Sequence, residues 1–293
     1  MTDIFWELLA KEIAKATGKP FQIQSRRSIG GGCINEAHQV SDGCQSYFVK
    51  FNQTHKEGMF AAEFDGLREM RQSQTIRVPQ PICYGSLEGG GPAYIAMEWL
   101  PLGGNSSAAW AEMGRQLAAM HRTTSEKGFG WHRSNTIGET PQLNEWDTDW
   151  VRFFQERRLG YQFQLGRRRG GRFPKADQLL DALPKLLNHD PIPSLLHGDL
   201  WSGNAAVTED GEPVILDSAT YYGDREADIA MTELFGRFPR PFYDAYNDTF
   251  PLDAGYEQRR TVYNLYHIVN HFNLFGGGYL SQANRMIDQI LAS

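Results

Sequence analysis

At 293 residues the chain is long enough to bury a substantial core, and its 35 acidic against 29 basic side chains, a net charge of −6, exclude a generic partner among nucleic acids or anionic membranes. Three cysteines at irregular spacing, Cys33, Cys44 and Cys83, suit neither a disulfide framework nor a zinc site and point to a reducing compartment. No apolar run reaches the roughly 18 residues of a membrane span, and the N-terminal MTDIFWELLAKEIAKATG is broken by Glu7, Lys11 and Glu12, so an unprocessed cytoplasmic protein is expected.

In chain order, Thr2 or Asp3 caps a helix whose Ile4, Phe5, Leu8, Leu9 and Ile13 recur at helical spacing, with Gly18 and Pro20 closing it. From Phe21 to Phe51, β-prone segments broken by GGG at 30–32 and SDG at 41–43 predict three antiparallel strands, the last ending in YFVKF. MFAAEFDGLREMRQ predicts a helix, and PICYGSL and PAYIAMEWL predict two more strands around the turn EGGG. After PLGGNSS the pattern becomes helical in SSAAWAEMGRQLAAMH, DWVRFFQERRLGYQF, ADQLLDALPKLL, EADIAMTELFG and the segments from Tyr256 onward. NAAVTEDGEPVILD is the exception, two short apolar stretches about a DG turn, the pattern of a hairpin. The expected fold is α+β with two lobes: a five-stranded antiparallel sheet with helices over 1–100, and a mainly helical lobe over 101–293. No internal repeat or low-complexity tract is present.

Four features in order carry chemistry. SIGGGCINEAHQV is a Gly-rich tip between strands, where Gly30, Gly31 and Gly32 let backbone N–H groups approach phosphate oxygens; alone it reads equally as a tight turn. Lys50, flanked by Val49 and Phe51 on its strand, points to the opposite face, and Glu63 on the next helix is placed to pair with it. In LLHGDLWSGN, Asp199 and Asn204 bracket a short loop, and Asp217 closes the hairpin that follows. A carboxylate at 199 can orient and deprotonate an attacking hydroxyl, while Asn204 and Asp217 are hard oxygen donors of the kind Mg²⁺ takes together with phosphates. Held phosphates, a metal and an oriented acceptor are the parts that phosphoryl transfer needs.

This order resembles the protein-kinase-like fold in its small-molecule branch, where HGD stands in place of HRD. LLHGDLWSGN together with YYGDREADIAMTELFG resembles the fructosamine kinase, or ketosamine-3-kinase, family. GGGCIN, PQLNEWDTDWVRFFQERRL and a late GY…R…Y helix extend the likeness over nearly the whole chain. HGD…N alone is shared with choline and aminoglycoside kinases. One departure is DSA at 217–219 where the family usually has DPA; it keeps the acidic residue.

The resemblance implies ATP and Mg²⁺ as cofactors, residues 1–100 as the nucleotide-binding lobe and 101–293 as the lobe of catalytic loop and substrate. It implies Asp199 as the catalytic carboxylate, Asn204 and Asp217 as Mg²⁺ ligands, Lys50 on the α/β-phosphates and Glu63 holding Lys50. It makes AMEWL the hinge, with the Glu98 carbonyl and Leu100 N–H on the adenine, and Asp228 a brace of the catalytic loop. His197 reads as loop packing, and Trp201 as either a surface for the sugar or core. The implied reaction phosphorylates the O3 hydroxyl of a free or protein-bound ketoamine, whose unstable 3-phosphate then releases the amine. Cys33 would be a redox switch, making the protein a monomer or a disulfide-linked homodimer. The rivals are a choline- or aminoglycoside-type kinase and a nucleotide-binding pseudokinase. Outside this set, RRRGGR at 167–172 reads as a solvated loop, His267 and His271 as helix packing, and Gly276 to Gly278 as the break between two helices.

Overall fold

Alternation along the strands decides how the first hundred residues pack. In the computed structural model, which describes residues 3–30, 35–87 and 91–292, helix α1 (Asp3–Thr17) precedes strands β1 (Ser25–Ile29), β2 (Glu36–Ser41) and β3 (Ser46–Asn52). Helix α2 (Glu57–Gln72) and strands β4 (Pro81–Ser86) and β5 (Ala93–Glu98) follow. The strands form one antiparallel sheet in the order β1-β2-β3-β5-β4. Tyr47, Val49 and Phe51 of β3 enter a small core with Phe5, Trp6, Leu9 and Ile13 of α1. Phe48, on the other face, packs on the large core that holds Phe60, Leu67 and Met70 of α2. The period of two therefore sends Lys50 to the α2 side, away from α1. Burial of side chains such as Leu9 and Ile13 is worth about 1.5–3 kcal/mol each, which is what holds α1 on the sheet.

The rest of the chain runs β6 (Leu102–Gly104), α3 (Ser107–Met120), β7 (Asn135–Ile137), β8 (Thr140–Gln142), α4 (Trp150–Phe153), α5 (Tyr161–Arg168) and α6 (Ala176–Leu186). It continues through β9 (Ser194–Leu196), β10 (Ala205–Thr208), β11 (Pro213–Ile215), β12 (Tyr221–Gly223), α7 (Glu226–Met231), α8 (Arg240–Thr249), α9 (Tyr256–Phe275) and α10 (Tyr279–Ala292). The expected hairpin is β10–β11, with Ala205 opposite Ile215, and β6 joins it as a third strand. Two short pairs, β7–β8 and β9–β12, are too brief for periodicity to announce.

Three readings change. Helix α8 was not expected from its mixed RPFYDAYNDT, and exists through close approach to α3: a Cβ at Gly114 would lie 2.3 Å from the Phe242 carbonyl oxygen. The segment expected as one helix over DWVRFFQERRLGYQF is interrupted, with a π-helical turn over residues 154–160 between α4 and α5. RRRGGR is more than a solvated loop: Arg167 and Arg168 end α5, and the Arg169 guanidinium donates to the Asn273 and Leu274 carbonyls at the end of α9. That places a cation where the helix dipole is negative. Among the described residues no helix is long and apolar enough to cross a membrane.

Candidate active site

Two loops meet beneath the sheet. One leaves β9 and carries residues 197–204; the other leaves β11 and carries residues 216–220. Lys50 reaches down from β3 and is bound twice, its Nζ 2.8 Å from Glu63 Oε1 and 2.7 Å from Asp217 Oδ1. Lys50 and Glu63 are buried, but the Asp217 side chain is 56% exposed, so this end of the chain of charges opens to solvent. Burial alone would discharge Lys50; the Asp217 and Glu63 carboxylates outweigh it and hold the ammonium charged. The recess around Asp217 opposes its ionisation, yet Lys50 keeps its carboxyl below the usual range. Asp217 also adopts φ 57°, a left-handed conformation that costs a non-glycine residue about 1–2 kcal/mol.

The 197–204 loop is fastened from below. Asp228, at the start of α7, accepts the His197 N–H at 2.7 Å, the Gly198 N–H at 2.8 Å and His121 Nε2 at 3.2 Å. Its burial favours the neutral acid, but these donors hold the carboxyl below its ordinary range. His197 is fully buried, its Nε2 2.8 Å from the Leu216 carbonyl and its Nδ1 accepting the Asp199 N–H at 3.2 Å; burial pushes its imidazole down. It thus ties one loop to the other. Gly198 has φ 83°, and a Cβ there would lie 2.1 Å from the Ala219 oxygen, so no larger residue lets the two loops touch.

Asp199 is half-buried, and among the described residues its carboxylate has a single long contact, 3.3 Å from Asn204 Nδ2. Burial first, then the Asp217 and Asp228 charges, pushes its carboxyl up to about 8. Asn204 Nδ2 also donates to the Asp199 carbonyl at 2.9 Å and the Asp217 carbonyl at 3.4 Å, which leaves Oδ1 as its acceptor. An amide oxygen and an open carboxylate in a cleft with excess negative charge make a donor set suited to a hard divalent cation. The residues present therefore fit Mg²⁺.

The other expected site residues fall around this centre. Trp201 is 37% exposed, its ring edge-on to Phe235 at 6.4 Å, so the core alternative is corrected in favour of an exposed aromatic surface. Glu98 spends its side chain on Arg77, 2.7 Å away, and the Gln80 N–H, which leaves any ligand contact there to the backbone. Leu100 is buried just beyond β5. Gly30 ends the described part of its loop; Gly31, Gly32 and Cys33 lie outside the described residues. Cys44 is exposed, whereas burial pushes the Cys83 thiol up to about 12. His267 is buried in α9, and His271 Nδ1 donates within the helix to the His267 carbonyl, 2.8 Å away, while its ring meets Phe235 at 4.6 Å.

A family model described as fructosamine kinase matches residues 5–293. The chain belongs to the fructosamine kinase family. Within that family, the Synechocystis sp. protein named probable ketoamine kinase is 53% identical over 98% of this chain and 97% of its own. The chloroplastic protein-ribulosamine 3-kinase of Arabidopsis thaliana is 48% identical over 94% of this chain and 85% of its own. A solved fructosamine-3-kinase candidate from Haemophilus somnus superposes with a TM-score of 0.91 at 31% identity, covering 98% of this chain and 97% of its own. More distant likeness shows the fold alone: choline kinase LicA from Streptococcus pneumoniae has a TM-score of 0.64 at 12% identity over 99% of both chains. The protein is a kinase of this family and has the protein-kinase-like fold.

Family motifs mark Asp199, Asn204, Asp217 and Asp228 and run through Asp224 and Glu226, but the partners of these carboxylates carry no local signature. His121 and Tyr246 come from α3 and α8 and join at 2.8 Å behind Asp228. Asp224 accepts from Tyr263 at 2.5 Å and lies 2.6 Å from His189 Nε2, while Arg259 clasps Glu226 through two bonds of 2.7 and 2.8 Å. Their partners lie 33 to 125 residues away in the chain, beyond any spacing rule.

Proposed function

We propose that this enzyme transfers the γ-phosphoryl group of ATP, with Mg²⁺, to the O3 hydroxyl of a ketoamine of the fructosamine or ribulosamine type. The observation that carries the reading is the pair of contacts from Lys50 to Glu63 and to the open Asp217, beside Asp199 and Asn204. In this reading Lys50 takes the α/β-phosphates, and Glu63 keeps it in place when nucleotide competes for its charge. Asn204 and Asp217 hold Mg²⁺, which neutralises charge on the phosphates. Asp199 orients the acceptor hydroxyl and receives its proton. Trp201 offers its exposed face to the sugar, Gly30 to Gly32 cover the phosphates, and the Glu98 carbonyl and Leu100 N–H meet the adenine.

The boundary between the nucleotide lobe and the acceptor lobe is placed near residue 100, after β5. The unstable 3-phosphate breaks down and frees the amine, which makes the activity one of deglycation repair, in a cytoplasmic setting. The relatives' names, ketoamine kinase and protein-ribulosamine 3-kinase, favour this acceptor class. The family resemblance adds to this reading a disulfide-linked homodimer through Cys33. ATP consumption measured over a panel of fructosamines, ribulosamines, choline and aminoglycosides tests the reading. Stimulation by the ketoamines alone is expected; stimulation by choline or aminoglycosides alone moves the protein to the rival branch.

A further inference from the structure

Arg158 is a fully buried cation, and no carboxylate pairs with it among the described residues. It lies on the π-helical turn, with its guanidinium carbon 4.0 Å from the centre of the Tyr221 ring and 4.6 Å from that of Phe153. Its Nη1 donates to the Leu143 carbonyl at 2.6 Å and its Nη2 to Asn144 Oδ1 at 2.8 Å. π-Helical turns recur at functional sites, and this one aims a permanent donor at a set of buried amides.

A guanidinium can only donate, so Asn144 must turn its oxygen to Arg158 and its Nδ2 to Asn135 Oδ1, 2.9 Å away. Gln142 Nε2 donates to the same oxygen at 2.8 Å, and the Tyr266 hydroxyl fixes Gln142 Oε1 at 2.7 Å. With both oxygens committed, the remaining amide hydrogens have one direction left. Asn135 Nδ2 donates to the Thr220 carbonyl at 2.8 Å, and Gln142 Nε2 to the Ala219 carbonyl at 3.0 Å.

Those carbonyls lie two and three residues beyond Asp217. The Ala219 N–H also fastens this loop, donating to the His197 carbonyl at 2.8 Å. Asp217 holds its left-handed backbone only where the surroundings over-determine it. We propose that Asn135 and Gln142 are positioning residues for the Asp217 carboxylate, with Arg158 setting the direction of their amides. The inference rests on Asp217 as a metal-facing group.

Gln142→Met, similar in volume but without the amide, is the first test, and Asn135→Ser, which frees the Thr220 carbonyl and removes the oxygen shared by Gln142 and Asn144 while leaving the Gln142 bond to Ala219, is the second. Leu179→Ala, at a fully buried position on the inner face of α6, is the control for lost stability. Both amide variants are expected to raise the Mg²⁺ concentration for half-maximal turnover about tenfold for Gln142→Met and less for Asn135→Ser, with the ketoamine KM unchanged. Both should speed hydrogen exchange at residues 218–221 and shrink the rise in Tm produced by nucleotide with Mg²⁺. Leu179→Ala should lower Tm and leave the Mg²⁺ dependence as in the natural protein. A folded Gln142→Met or Asn135→Ser with unchanged Mg²⁺ dependence overturns the inference, as does an equal change in Leu179→Ala. Asp217→Asn with normal Mg²⁺ dependence would instead fell the functional reading beneath it.

Discussion

Four aspartates close to the site fall into two pairs that the structure treats in opposite ways. Asp224 and Asp228 are buried, and each accepts from several donors: Tyr263, His189 and the Glu226 N–H for the first, His197, Gly198 and His121 for the second. Asp199 and Asp217 open into the cleft, and among the described residues the carboxylate of the first has a single long contact and that of the second is bound only by Lys50. The carboxylates that hold the fold are saturated; those assigned to the ligand in the proposed function are left with bonding capacity. The same residue type thus declares its role through the number of donors around it, since a buried acceptor left unsatisfied costs stability and an open one costs little.

The largest expected effect breaks this contrast on the open side. Asp199→Ala should lower turnover about 10²–10⁴-fold, the span of a lost general base, while the Tm and nucleotide binding stay near those of the natural protein. A thermal melt and a nucleotide titration on the same sample check it. On the saturated side, Asp228→Ala leaves the His197 and Gly198 N–H groups and His121 without their acceptor, and should cost about 3–5 kcal/mol of stability in denaturant unfolding. Similar losses of stability for the two variants would erase the distinction.

How much of this was legible follows the same division. Asp199, Asn204 and Asp217 lie within nineteen positions of one another, and Lys50 sits on a strand whose alternation places it, so spacing and pattern suffice. The five-stranded sheet was readable for the same reason, with turn residues at each reversal. Arg158, Asn135 and Gln142 have no such signal: PQLNEW, which holds Gln142, marks a resemblance, but nothing local says that the Gln142 and Asn135 amides end on carbonyls 77 and 85 residues away. Helix α8 was passed over although Phe242, Ala245 and Tyr246 recur at helical spacing, since ten residues mixed with Arg240, Asp244 and Asp248 carry that pattern over fewer than three turns.

A pH prediction sharpens the saturated side. Burial, aided by His271, pushes the His267 imidazole down to about 3, against 6.5 for an exposed one. The unfolded chain therefore takes up a proton below pH 6.5 that the folded chain refuses, so stability present above 6.5 is lost as pH falls, by up to about 1.4 kcal/mol per unit. His197 and His271 shift in the same direction and add to the slope. His267→Phe should flatten the fall of Tm between pH 6.5 and 5; an unchanged slope contradicts it. The smallest effect is expected at the exposed edge of the open side. Trp201→Ala should raise the acceptor KM about fivefold, consistent with the ~1 kcal/mol of an exposed aromatic contact, while the KM for ATP stays constant. Equal changes in both would remove Trp201 from the acceptor site.

The position of the transferred phosphate tests the functional reading most directly. With a ¹³C-labelled fructosamine, Mg²⁺ and ATP, phosphorus and carbon NMR should show one phosphate appearing on O3 per ATP consumed, followed by free amine as that ester decays, and neither signal with Asp199→Ala. A phosphate on another hydroxyl, or ATP turned over with the ketoamine left unmodified, would contradict the account.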